Sequence, residues 1–133
     1  MESEWIESKY SDRFEKWFDS RLLERIVGED WDYGFQALDD HGNSGGSVHG
    51  GILMMAADHL MSMCILRMKT APSHIATIQM ESHFLKRARP GDFLVVKPRV
   101  MRQAREVVFV DCGIYNRDSL LFSARGIWKV VKP

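Results

Sequence analysis

The segment Ile52–Met68, ILMMAADHLMSMCILRM, constrains the fold more than any other part of this chain. Its side chains are apolar nearly all the way round, and only Asp58, His59, Ser62 and Arg67 interrupt them. A helix without a polar face is stable in water only when it is covered on every side. It is too short and too polar to span a bilayer. The sequence around it therefore has to supply a sheet that wraps it.

Four strand-like runs follow the helix: Ile75–Leu85, Asp92–Val100, Glu106–Tyr115 and Leu120–Val131. Alternation in the first predicts Ile78, Met80 and Phe84 on one face, with Thr77, Gln79, Glu81 and His83 on the other. Arg89-Pro90-Gly91-Asp92 and Asn116-Arg117-Asp118-Ser119 read as turns. Short consecutive connections favour antiparallel pairing. Before the helix, Trp31–Leu38 reads as a short strand. Earlier still, Phe14, Trp17, Phe18, Leu22 and Ile26 recur at helical spacing between a capping Ser11 and a terminating Gly28. That predicts an N-terminal helix from Ser11 to Val27. The fold class is α+β, a curved antiparallel sheet around one long central helix. At 133 residues the chain is expected to be one domain, 1–133, with 1–30 as an N-terminal helical extension.

Eighteen basic and eighteen acidic side chains give a formal net charge of zero, which argues against duplex nucleic acid as a partner. The charge is unevenly spread. Residues 71–133 carry eleven bases against five acids, a surplus that suits a small polyanionic ligand or an acidic partner. Cys64 and Cys112 read as reduced, buried thiols of a cytoplasmic protein. The acidic, polar opening MESEWIESKY is not a signal peptide, and no membrane partner is expected.

The chemistry concentrates in two places. A lone carboxylate, Asp58, sits in the apolar helix, where an unpaired charge is costly. It is either a satisfied core residue or a working one. Ahead of the helix, Asp39–Gly51 holds five glycines in thirteen residues. Its last stretch, Ser47-Val48-His49-Gly50-Gly51, leads straight into the helix, whose first amides lack internal partners and carry the positive end of the dipole. A glycine amide there, of Gly50 or Gly51, is suited to hold a substrate oxyanion. His49 either helps position a carbonyl or makes a structural bond. No P-loop lysine, dinucleotide fingerprint, metal-ligand spacing or G-x-S-x-G elbow is present, so neither a metal nor a cofactor is expected.

The array Asn43…His49-Gly50-Gly51…Asp58 resembles that of the hotdog-fold acyl-CoA thioesterases, phenylacetate-pathway branch. In that pattern His-Gly-Gly begins six positions on from an Asn, and an Asp stands seven positions past the second Gly. The likeness extends over roughly Trp31 to Val131, including FLKRARPGD at 84–92. It implies an acyl-CoA thioesterase in which the Gly50 amide polarises the thioester carbonyl. Asp58 activates water or attacks directly, Asn43 holds the water or the thioester group, and Thr77 assists. Lys86, Arg87 and Arg89 make the turn more basic than usual and are candidates, with His49 and Gly51, for substrate contact at the CoA phosphates and carbonyl. The resemblance also implies sites between subunits, hence a homodimer at least and a homotetramer as a dimer of dimers. Helix geometry agrees. Gly50 and Asp58 are about 12 Å apart along the axis at ~1.5 Å per residue, too far to serve one carbonyl within one chain. Two other readings stand beside hydrolysis: a hotdog hydratase or dehydratase acting on acyl-CoA or acyl carrier protein, and a non-catalytic acyl-CoA-binding module.

Overall fold

The computed structural model describes residues 4–8, 16, 18 and 21–131. Among these, seven strands form one antiparallel sheet: β1 (Ile6–Glu7), β2 (Leu23–Val27), β3 (Asp30–Gln36), β4 (His74–Phe84), β5 (Phe93–Ala104), β6 (Val107–Asn116) and β7 (Ser119–Val131). Their order is β1-β2-β3-β5-β6-β7-β4, so β1 and β4 are its edges and it does not close into a barrel. Helix α1 (Gly50–Leu66) packs on one face. This is the α+β arrangement expected from the helix and the strand alternation.

The alternation in β5, β6 and β7 decides which face is the core. Leu94 and Val96, Val108, Val110 and Ile114, and Phe122 and Trp128 point to α1 and are fully buried. They meet Leu53, Ala56, Ala57, Leu60 and Met61 of the helix, also buried. Small Ala56 and Ala57 let the helix backbone lie close to the sheet. The wrapping is incomplete, however. Gly51 and Met54 are exposed and Met55, Asp58 and Ser62 only half-buried, and these positions share one stripe of α1. An apolar helix left open along one stripe has a face that its own sheet does not cover.

Two expectations need correction. The predicted N-terminal helix does not reach Val27. Lys16 and Phe18 are helical, but Leu23–Val27 is strand β2, paired with β3. Phe14 and Trp17 lie outside the described residues. Gly28 has φ +64° and ends no helix; with Glu29 it forms the two-residue turn of the β2–β3 hairpin. A glycine after Ile26-Val27 serves either role, and pairing with β3 decides. The second correction concerns β4. Its register on β7 shifts between Thr77 and Gln79. Ile78 is the extra residue, 57% exposed. The shift puts Thr77, which pairs opposite the inward Trp128, on the helix face rather than with Glu81 and His83.

The far end of α1 is tied to β2 by a buried ion pair. Arg67, the C-terminal cap, donates from Nη2 to Glu24 Oε2 at 2.8 Å, and its guanidinium lies 3.9 Å from the Trp31 ring centroid. Glu24 is 2% exposed. Breaking such a pair leaves a buried, uncompensated charge. Glu24→Leu is therefore expected to cost about 3 kcal/mol, roughly 10 °C in Tm by thermal melt. Adding Arg67→Met should restore part of the loss. An unchanged Tm in the single variant would mean that water, not Glu24, solvates Arg67.

Candidate active site

The glycine-rich loop is built, not slack. Asp39–His41 form one turn of 3₁₀ helix, and His41 is buried. Leu38 N–H donates to His41 Nδ1 at 2.9 Å, which leaves the proton on Nε2 to donate to Phe18 O at 2.7 Å. His49 N–H in turn donates to His41 O at 2.8 Å, fixing the residue that precedes the helix. Between them the chain makes a tight loop. Asn43 Oδ1 accepts from the amides of Gly45 and Ser47 at 3.0 and 3.2 Å, and Asn43 N–H donates to Ser47 O. The Arg87 guanidinium reaches across from the segment after β4 and donates to Ser47 Oγ and Gly45 O.

This loop sets up the helix N-terminus. His49 is the N-cap, and its Nδ1 accepts from Gly51 N–H at 3.1 Å. Ile52 N–H donates to His49 O. Among the described residues the Gly50 amide has no partner. Of the two candidate amides, capping thus occupies Gly51 and leaves Gly50 free. Beside it runs a groove of about 380 Å³ between Val48, Gly50 and Leu53 on one side and Phe84–Ala88 on the other.

Asp58 is held from β4. Thr77 Oγ1 donates to Asp58 Oδ1 at 2.8 Å. The bulge at Ile78 makes this contact possible by turning Thr77 inward. Behind it, Trp128 Nε1–H donates to Ser62 Oγ, and Ser62 donates to the Asp58 carbonyl at 2.8 Å. The second carboxylate oxygen, Oδ2, has no partner among the described residues. One carboxylate oxygen is oriented by Thr77 and the other is open.

The sequence-derived residues thus fall into two groups. Asn43, His49, Gly50, Gly51 and Arg87 gather at the start of α1, while Asp58 and Thr77 sit two turns further along. Lys86 Nζ lies 3.1 Å from Ser119 Oγ, and Arg89 is exposed, its backbone N–H bonded to Asp92. Sequence reasoning did not single out Ser62, Trp128 or Phe84. The weak signal for Ser62 was a lone hydroxyl four residues past Asp58. Burial pushes the Cys64 thiol up to about 11 and that of Cys112 also upward, so neither offers a thiolate nucleophile near neutral pH. No three His, Cys, Asp or Glu side chains converge as metal ligands among the described residues.

A family model described as the thioesterase superfamily matches residues 45–123, more than half of the chain, from the glycine-rich loop to β7. The chain belongs to the thioesterase superfamily. A relative in Pseudomonas aeruginosa, PA0474, whose name proposes an esterase, is 30% identical over 88 residues. That match covers 66% of this thioesterase-superfamily chain and 66% of the relative, so the chain spans about two thirds of the relative's length. The E. coli PaaI protein of the phenylacetic acid degradation operon has a similar structure, with TM-score 0.78 and 19% identity over 92% of this chain and 86% of that one. The smu.793 protein from Streptococcus mutans, solved bound to acetyl CoA, has TM-score 0.70 and 21% identity over 75% and 79%. These likenesses establish the hotdog fold: an antiparallel sheet with a single helix packed on it.

Proposed function

We propose that this superfamily member is an acyl-CoA thioesterase, hydrolysing the thioester to a free acid and CoA at a site completed by two copies of the chain. The observation that carries the reading is the Thr77–Asp58 hydrogen bond, which orients one carboxylate oxygen and leaves the other without a partner. The site provides what hydrolysis needs. The thioester carbonyl accepts from the Gly50 amide at the positive end of the α1 dipole. Asp58 Oδ2 takes a proton from water as the water oxygen bonds to the carbonyl carbon. The tetrahedral oxyanion is held by the Gly50 N–H. As it collapses, the C–S bond breaks, and the proton returns from Asp58 to the departing CoA sulfur. His49 serves by capping Gly51 and keeping Gly50 free. Asn43, with Arg87, keeps the loop in shape and places an amide near the reacting group.

The two-copy arrangement is supported by what one chain leaves open. Among the described strands β4 is an eleven-residue edge paired with β7 alone, and it is mostly exposed. Ile78 on this strand is exposed, and beside it lie exposed Met54 and Leu85 and the uncovered stripe of α1. A second copy docking there covers this apolar face and brings its own Asp58 toward the first copy's Gly50. The CoA phosphates fall to Lys86, Arg87 and Arg89, all three exposed.

The test is a panel of acetyl-, octanoyl-, phenylacetyl- and crotonyl-CoA, read by free-thiol release and by loss of enoyl absorbance. Thiol release is the expected result. Hydration of crotonyl-CoA without thiol release would favour a hydratase, and binding without turnover a carrier module. In the same assay Lys86→Gln with Arg89→Gln should raise KM several-fold with little change in kcat, because phosphate contacts bind ground and transition states alike. An unchanged KM would remove these two residues from the site.

A further inference from the structure

One side chain at the groove has no part in the proposed chemistry, yet it lies against Gly50. Phe84 is the last residue of β4, and its ring edge borders Gly50. A methyl placed on Gly50 would meet Phe84 Cε1 at 3.0 Å and Cζ at 3.3 Å. The ring therefore stands directly beside the residue whose amide is the proposed oxyanion donor. Its backing is firm on one side. The ring packs edge-on to Phe122, a fully buried residue of β7, with centroids 5.2 Å apart. The backbone after it is fixed, since the amides of Leu85 and Lys86 both donate to Leu121 O. Its other side is open, and the side chain as a whole is 54% exposed. A large aromatic ring held in place but half uncovered, at the edge of a groove, does little for the core. It is placed to shape whatever enters.

We propose that Phe84 determines acyl specificity by acting as a wall over the Gly50 amide. A carbonyl oxygen bonded to that amide lies about 2.9 Å from the nitrogen. The atoms on either side of the carbonyl carbon, the sulfur and the acyl α-carbon, then lie next to the ring. The ring admits a slender α-carbon and rejects a branched one. Chain length further out is read elsewhere, so Phe84 discriminates by shape next to the carbonyl. The inference rests on the thioesterase reading above for the position of the carbonyl.

The experiment compares butyryl-CoA with 2-methylbutyryl-CoA, which differ by one α-methyl group. Wild type, Phe84→Leu and Phe84→Ala are assayed for kcat/KM. The dissociation constants of the matching ketone analogues, in which a methylene replaces the sulfur, are measured by calorimetry. Wild type should prefer the straight chain by at least about tenfold, the low end for one misplaced methyl group in a closed pocket. Phe84→Ala should reduce that preference by about tenfold, mainly by gaining on the branched substrate, with Phe84→Leu in between. The ketone affinities should change in the same order. A merely structural Phe84 would lower all rates by one common factor, and a folded variant with an unchanged preference overturns the proposal. Phe84→Leu keeps the test alive if Phe84→Ala fails to fold. If the wild-type protein binds the ketones but hydrolyses neither thioester, hydrolysis is wrong while the affinity ratio still decides the role of Phe84. If it neither binds nor hydrolyses, both readings fall.

Discussion

Asp58→Asn should fold like the parent and hydrolyse thioesters at least about a hundredfold more slowly, the low end for a lost acid–base group. The two side chains have the same shape, and an amide oxygen accepts from Thr77 Oγ1 as the carboxylate does at 2.8 Å. Ser62 bonds to the backbone carbonyl of residue 58, which the substitution leaves untouched. Asp58 is half-buried, so replacing its charge with a neutral amide imposes no new desolvation cost and removes one. Stability is therefore expected to hold or rise slightly. What disappears is the ability to take a proton from water. The loss should fall on kcat, with KM nearly unchanged, because the group acts only as the transition state forms. Circular dichroism and a thermal melt establish the fold, and thiol release at saturating substrate gives the rate. A folded Asp58→Asn protein working near the parental rate would remove Asp58 from the mechanism and return it to the role of a hydrogen-bonded core carboxylate.

The central architecture was legible because two strong periodicities contradict each other in adjacent segments. Ile52–Met68 is apolar on every face, and the strands after it alternate, so a sheet over a helix is the arrangement that buries both. The start of the helix was legible too, since His49-Gly50-Gly51 places a capping side chain and two small residues where capping needs them. Other features were illegible for identifiable reasons. Leu22 and Ile26 fit a helical stripe, but Leu23–Val27 also fits a strand, and the hydrogen bonds to β3 that choose between them come from residues beyond any local window. The bulge at Ile78 inverts the face of Thr77, and nothing in the local alternation marks the extra residue. Strand β5 runs on to Ala104 because the chain turns at Arg105 with φ +54°, a conformation that arginine does not advertise. The loop clamp by Arg87 joins residues 40 positions apart and was visible only as a positive charge. The uncovered stripe of α1 was hidden by the same rule that revealed the helix. Full burial is required, but nothing in that rule says that one chain must provide it.

That uncovered stripe leads to the second result. Asn43→Ala and Asp58→Ala should each be nearly inactive alone and recover activity when co-expressed. Asn43 Oδ1 accepts two loop amides, so its loss loosens the segment that presents Gly50 and damages that half of the site. Asp58→Ala removes the base. The two halves sit about 12 Å apart along α1, so a carbonyl on the Gly50 amide needs the Asp58 of a second copy. In the proposed dimer a two-fold axis near the helices would supply it and cover β4 and the exposed Ile78 and Leu85 at the same time. In a mixed dimer, one of the two sites then combines intact Asn43 and Gly50 from one protomer with intact Asp58 from the other. Random pairing makes about half of the dimers mixed, and each has one working site of two, so activity should return to roughly a quarter of the parental value. Two affinity tags, purified in sequence, isolate the mixed dimers and should raise the figure to about half. If tandem-purified mixed dimers stay as inactive as their parents, Gly50 and Asp58 of one chain serve the same substrate, or Asp58 serves none, and the two-copy site is wrong.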